Sequence, residues 1–179
     1  SQSVLFIFIG LTIFNFLFTT VLEYLNDKNW KESIPSDLKG FYDSDKYQKA
    51  KNYKIERGKI SLLNSSISLI ITLLMLFFYG FGLISEYAVS LSDSIIVQSC
   101  IFFMIFHLLT TLIGIPFNYY STFVIEEKYG FNKTTINTYI VDKIKGFIVS
   151  SLFIIVLTSL AVFAIEYFSS GFWLWLWIG

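Results

Sequence analysis

The sequence predicts an all-α, polytopic transmembrane protein with four spanning helices and the opening of a fifth. Three observations carry this. Residues are 55% hydrophobic and only 15% charged, whereas a soluble domain of this size needs more charge to cover its surface. Residues 1–22, 60–85, 94–125 and 146–165 contain no Asp, Glu, Lys or Arg. All thirteen Lys and Arg residues fall in two stretches, nine in 26–59 and four in 126–145.

Each uncharged run meets the length of roughly 20 residues that a helix needs to cross a bilayer core. Lipid offers no partner to backbone N–H and C=O groups, so runs of this length must be helical. The spans are placed at about 3–24, 60–85, 94–118 and 146–166, within one membrane domain covering 1–179. A signal peptide competes for the first run, but Ser1-Gln2-Ser3 lacks the basic start such a leader needs. The second run is entered through a helix capped by Asp43 or Ser44 and passing Tyr47, Ala50, Tyr53 and Arg57. Before it, Ile34-Pro35-Ser36-Asp37 reads as a turn.

The third run is too long for one straight span. Pro116 removes a backbone donor and disfavours helix at Ile115, so the run is expected to kink there, with 117–125 extending past the membrane. Tyr129-Gly130-Phe131-Asn132 then reads as a turn, and Thr134 or Thr135 as the cap of a helix through Ile136, Ile140 and Ile144 into the fourth span. Residues 170–179 carry Trp173, Trp175 and Trp177, which suit a membrane–water interface, and read as an incomplete fifth span.

The basic stretches set the topology. The connection 86–93 and the residues after Glu166 contain no Lys or Arg, so 26–59 and 126–145 are expected in the cytoplasm and the amino terminus outside. The net charge of zero excludes a general basic field for nucleic acid. Cys100, the single cysteine, excludes an internal disulfide.

Catalytic patterns are missing from the sequence. A helical zinc site of the His-Glu-x-x-His type needs two imidazoles one turn apart, and His107 is the only histidine. His107 lies within the third span; the plain expectation is a neutral ring bonded to a neighbouring helix or to Thr110 or Thr111. Glu23, Glu86 and Glu166 stand at span ends and read as interfacial. There is no phosphate-binding glycine loop and no Gly-x-Ser-x-Gly. The sequons at Asn64 and Asn132 fall at a span and in a segment expected in the cytoplasm.

The run from Ile115-Pro116-Phe117-Asn118-Tyr119-Tyr120 through Phe123, Glu126-Glu127-Lys128-Tyr129-Gly130-Phe131-Asn132-Lys133-Thr134-Thr135 resembles the membrane region of the type I CAAX prenyl proteases. Ile34-Pro35-Ser36-Asp37-Leu38-Lys39-Gly40, with Tyr47, Lys51, Tyr53 and Arg57, is similar to that family's first cytoplasmic loop. The resemblance implies a helical barrel around a large chamber, belonging to a membrane zinc metalloendopeptidase. Its zinc motif would lie beyond this chain. The chain would then contain no catalytic, cofactor or metal residue, and zinc would belong to the full-length parent. Pro116, Tyr120, Phe123, Glu126, Glu127, Gly130, Asn132 and Thr134 are the family-motif and possible rim residues. Glu126 and Glu127 would hold the cytoplasmic rim by ion pairs or caps to the missing carboxy-terminal domain, the alternative being a solvated charged turn.

The implied partners are the lipid bilayer, a carboxy-terminal zinc-bearing half, and the parent's substrate, a prenylated peptide or a membrane protein. Residue usage and the short amino terminus point to a bacterial cytoplasmic membrane; a eukaryotic source would imply the endoplasmic reticulum. The alternatives are a fragment of a transporter or channel, or a non-catalytic membrane scaffold.

The charge asymmetry gives a first testable outcome. With Cys100 removed, Ser90→Cys should react with a membrane-impermeant thiol reagent on intact cells, while Lys46→Cys and Lys133→Cys should not. Labelling at position 46 with none at position 90 would reverse the orientation.

Overall fold

A computed structural model describes residues 2–28 and 43–167. The elements are α1 (Gln2–Lys28), α2 (Ser44–Phe77), α3 (Gly80–Leu91), α4 (Ile95–Tyr120), a π-helical turn π1 (Ser121–Glu126) and α5 (Ile136–Tyr167). Four stretches are long and apolar enough to cross a membrane: Gln2–Lys28, Ser44–Phe77, Ile95–Glu126 and Ile136–Tyr167. The described chain is thus a helical membrane protein, as the uncharged runs require. The expected fifth span at 170–179 and the turn at 34–37 lie outside the described residues.

The helices outrun the expected spans for identifiable reasons. The Asp43 carboxylate accepts from the Asp45 N–H at 2.9 Å and so caps α2, rather than Ser44. From there α2 runs unbroken through its charged half into its apolar half. At 1.5 Å per residue it is about 51 Å long, against a bilayer core of about 30 Å. Likewise Thr135 rather than Thr134 caps α5, its Oγ1 accepting from the Thr138 N–H at 3.2 Å.

Two expectations are corrected. The run 60–85 is not one helix: α2 ends at Phe77 and α3 begins at Gly80. Tyr79 adopts φ 59, in the left-handed region, which costs a residue with a Cβ roughly 1–2 kcal/mol. Its ring lies over Gly82, where an added Cβ would overlap the ring atoms. Continuous apolar sequence conceals such a break, because hydropathy carries no signal for φ. Accordingly the connection is not 86–93 but only 92–94, since α3 continues to Leu91. Pro116, where a kink is expected, lies inside α4, which runs through it to Tyr120. The wider winding falls afterwards, at π1. Asn118 Nδ2 donates to the Gly114 carbonyl at 2.8 Å on this stretch.

The described residues form two compact units, Ser1–Phe78 with Ile113–Lys133, and Tyr79–Leu112 with Thr134–Gly179. In the first, α1 packs antiparallel on α2, and Lys54 Nζ lies 3.0 Å from Asp27 Oδ1 at one end. In the second, α4 and α5 run antiparallel. His107 Nε2 lies 2.9 Å from Ser150 Oγ, and its ring stacks on Phe147 at 4.7 Å. Further along, Cys100 Sγ lies 3.4 Å from Ser159 Oγ. Both contacts are made on the α5 side by a serine, the kind of small polar residue that bonds across membrane helices. Of the alternatives for His107, the neighbouring-helix bond is the one formed. Thr110 Oγ1 instead donates to the carbonyls of Phe106 and His107, 3.0 Å each.

Few side chains are buried. Ala88, Ile125 and Tyr129 are the buried apolar residues among those described, while Phe6, Phe14, Phe153 and Leu157 are more than half exposed. A water-facing protein could not present so much apolar surface.

The Tyr79 ring supplies a second test. Gly82→Ala should cost about 1–3 kcal/mol, the usual range for overpacking, and Tyr79→Ala should remove most of that cost. Thermal unfolding of the two single variants and the double variant in detergent measures the coupling; additive effects would show that the ring and Gly82 are independent.

Candidate functional site

Of the residues singled out from the sequence, Glu126, Glu127, Gly130 and Asn132 gather where π1 meets the charged half of α2. Chain direction is set first. Gly130 has φ 70, the Phe131 N–H donates to the Glu126 carbonyl at 2.8 Å and the Gly130 N–H to the Glu127 carbonyl at 2.9 Å. This is the paired-bond helix stop that a left-handed residue permits, and glycine adopts it without the steric cost of a Cβ. The Asn132 N–H also reaches the Glu126 carbonyl, at 3.2 Å. The Asn132 side chain donates to Glu127 Oε2 at 2.9 Å. The expected turn is therefore present, with the cause of its glycine in view.

This stop returns the chain against α2. Tyr53, Glu56 and Arg57 are spaced three and four apart, which puts them on one face. The Tyr53 hydroxyl donates to Glu126 Oε1 at 3.5 Å, and Arg57 Nη1 donates to the Tyr53 hydroxyl at 2.7 Å and lies 3.9 Å from Glu126 Oε1. Glu56 Oε1 accepts from Lys128 Nζ and, at 3.0 Å, from the Tyr129 hydroxyl. The Tyr53 ring meets Phe131 edge-on at 4.9 Å and Tyr129 at 5.6 Å. Lys49 Nζ stands 5.4 Å from the centre of the Phe131 ring. Ile125 and Tyr129 are buried beneath this clasp.

Glu126 and Glu127 thus find partners within the chain, Glu126 on α2 and Glu127 on Asn132. Phe123 is half-buried in π1, with its ring 4.9 Å from that of Tyr119. Pro116 and Tyr120 are exposed and Thr134 is half-buried. Thr134 lies in the second unit. Glu56 was missed in the sequence. Its position three residues after Tyr53 was the available signal.

Toward the apolar half of α2 a second feature appears. A groove of about 280 Å³ between α1 and α2 is lined by Thr12, Asn15, Thr19 and Glu23 on one side and Asn64, Ser65, Ser68 and Thr72 on the other. Both rows follow helical spacing, so each helix presents a polar face to the other within stretches long enough to span lipid. Reading the runs as simply uncharged hid these faces, although Thr12, Asn15, Thr19 and Glu23 recur at the right intervals.

A family profile described as CAAX prenyl protease N-terminal, five membrane helices, matches residues 23–179. The chain belongs to the CAAX prenyl protease family. It is 34% identical over 161 residues to the probable CAAX prenyl protease 1 of Schizosaccharomyces pombe, covering 82% of this chain and 34% of that protein. To the human CAAX prenyl protease 1 homolog it is 30% identical over 152 residues, covering 81% and 32%. The crystal structure of S. mikatae Ste24p is similar with a TM-score of 0.73 and 31% identity, over 83% of this chain and 36% of that one. The chain therefore spans about a third of the length of these relatives.

The clasp has a defined pH range. The hydrogen-bonded Lys128 ammonium holds the Glu56 carboxyl below its ordinary 4.5, and Glu56 in turn holds Lys128 above its ordinary 10.5. Burial, then the bond to Glu56, pushes the Tyr129 phenol upward. A lowered carboxyl stabilises fully above its unfolded value and loses this as pH falls through the folded one; a raised ammonium behaves in the opposite sense. The coupling between Glu56→Gln and Lys128→Met in thermal unfolding should thus be flat across the neutral range. It should fade below pH 4.5 and above pH 10.5. A coupling that vanishes near pH 7 would contradict the pairing.

Proposed function

We propose that this chain forms chamber wall and cytoplasmic rim in a membrane zinc endopeptidase whose substrates end in a prenylated CAAX sequence. The observation that supports this best is the polar groove between α1 and α2. Thr, Ser, Asn and Glu side chains are costly against lipid, so two facing rows of them favour an aqueous compartment. The clasp at the end of α2 supports the rim assignment, since it fixes charged and aromatic groups just beyond the apolar half of that helix.

The residues described do not fit the zinc. A catalytic site needs about three protein ligands and an open position for water. His107 Nε2 is engaged with Ser150, and Cys100 Sγ stands beside Ser159. No group of three or more His, Cys, Asp or Glu side chains placed to hold a metal occurs among the described residues. We assign this chain no step of the hydrolysis; it contributes walls, polar surface and position. The relatives matched come from fungi, animals, plants and Dictyostelium, which favours the endoplasmic reticulum over a bacterial membrane.

Elemental analysis and peptide cleavage on two proteins test this reading. The complete protein should carry one zinc and cleave a farnesylated CAAX peptide in a chelator-sensitive way, whereas residues 1–179 alone should do neither. Stoichiometric zinc in 1–179, or an active metal-free complete protein, would overturn it.

A further inference from the structure

Arg57 stands where the charged half of α2 gives way to its apolar half, and it borders two pockets of unlike character. The first, of about 400 Å³, also contains Glu23, Asp27 and Lys54 and balances its own charge, Lys54 pairing with Asp27 at 3.0 Å. The second, of about 150 Å³, has Arg57, Ser61 and Asn64 from α2 facing Phe117 and Asn118 of α4 and Ser121 of π1. No carboxylate lines it. It has one cation, two hydroxyls and two amides.

Most of that hydrogen-bonding capacity is unspent. Both polar contacts of Arg57 are made by Nη1, to Tyr53 and Glu126, so Nε and Nη2 have no partner among the described residues. The side chains of Ser61 and Ser121 have none there either. Asn64 Oδ1 is buried and unpaired; turned over about its last bond, the same amide offers N–H groups at that position. Asn118 spends one amide hydrogen on the Gly114 carbonyl and keeps the other. Buried polar groups are normally satisfied, so this convergence points to a ligand that is itself a strong acceptor. A planar guanidinium matches the two oxygens of a carboxylate with parallel N–H···O bonds. The Tyr53 hydroxyl, holding Nη1 at 2.7 Å, keeps the fork in place.

We propose that this pocket receives the free carboxylate at the end of a peptide chain, with Arg57 as its principal binding residue. The proposal rests on the protease reading above and adds where the carboxy terminus of the substrate is held. At about 150 Å³ the pocket suits a terminal carboxylate and the atoms next to it, with the rest of the peptide outside. Glu126, 3.9 Å from Nη1 on the far side of Tyr53, is not among the lining residues.

The test uses the complete protein and a fluorescent farnesylated tetrapeptide with an N-methylated scissile bond, so that binding is read without turnover. The peptide is made once with a terminal acid and once with a terminal amide, and Kd is measured by anisotropy. The acid should bind about tenfold or more tighter than the amide, the usual scale for a desolvated charge pair. Arg57→Gln should abolish that advantage by weakening the acid far more than the amide, and Arg57→Lys should restore only part of it. Equal binding of acid and amide to the unaltered protein would overturn the pocket assignment and leave the protease reading standing. So would an Arg57→Gln variant that weakens both peptides alike, because Arg57 would then serve the fold through Tyr53 and Glu126 and not a bound carboxylate. Binding of neither peptide, together with no cleavage of a cleavable one, would overturn the protease reading and the pocket with it.

Discussion

Lipid supplies no hydrogen bonds to a backbone, and everything described above follows from how this chain meets or evades that constraint. Where it complies, helices run for 26 to 34 residues with scarcely a buried side chain among those described, as in α1, α2 and α4. Where it departs, each departure is repaired locally. At the helix stop, the Glu126 and Glu127 carbonyls take N–H groups from Gly130, Phe131 and Asn132. The α2–α3 break is less well repaired. A helix end leaves about four carbonyls or four N–H groups without helical partners. Three exposed aromatic side chains, Phe77, Phe78 and Tyr79, cluster there, the residue type that settles at membrane–water boundaries.

The same constraint sorts polar side chains. Hydroxyls on the spanning helices return to their own backbone, as Ser66 does to Leu62 and, within the two rows, Thr12 to Phe8 and Thr72 to Ser68, 2.8 Å each. That suffices for a hydroxyl but not for the amides and carboxylate, Asn15, Asn64 and Glu23, that stand beside them. Aligned rows on α1 and α2 therefore demand an environment that hydrogen-bonds, and they mark one side of this helix pair as unlike its lipid-facing side. In the second unit the demand is met within the protein, by the His107–Ser150 and Cys100–Ser159 contacts.

Helix type and the four spanning stretches were legible because length and charge gaps are enough to require them. The caps at Asp43 and Thr135 and the turn at Gly130 were legible because their chemistry is local. The break at Tyr79 was not: it depends on one backbone angle and on space above Gly82, and neither leaves a trace in hydropathy. Pro116 pointed to an irregularity in its neighbourhood without placing it. Its missing N–H suggested a kink near Ile115, and the irregular winding of the chain appears after Tyr120, at π1. Of the site, the residues after Pro116 could be named in advance. Their pairing with Tyr53, Glu56 and Arg57 could not, since it spans some 70 positions of sequence.

The π1 turn has a consequence for how this segment can change over evolutionary time. A π-helical turn accommodates one more residue than the α-helix it interrupts, and each residue turns an α-helix by about 100°. Deleting one residue within 121–126 would let the turn close to a regular α-helix while the segments on either side keep their faces. Deleting one from the regular part of α4 just before it would instead turn Glu126, Lys128 and Tyr129 about 100° away from α2 together. Changes of length are therefore absorbed inside π1 and penalised in the regular turns that lead into it.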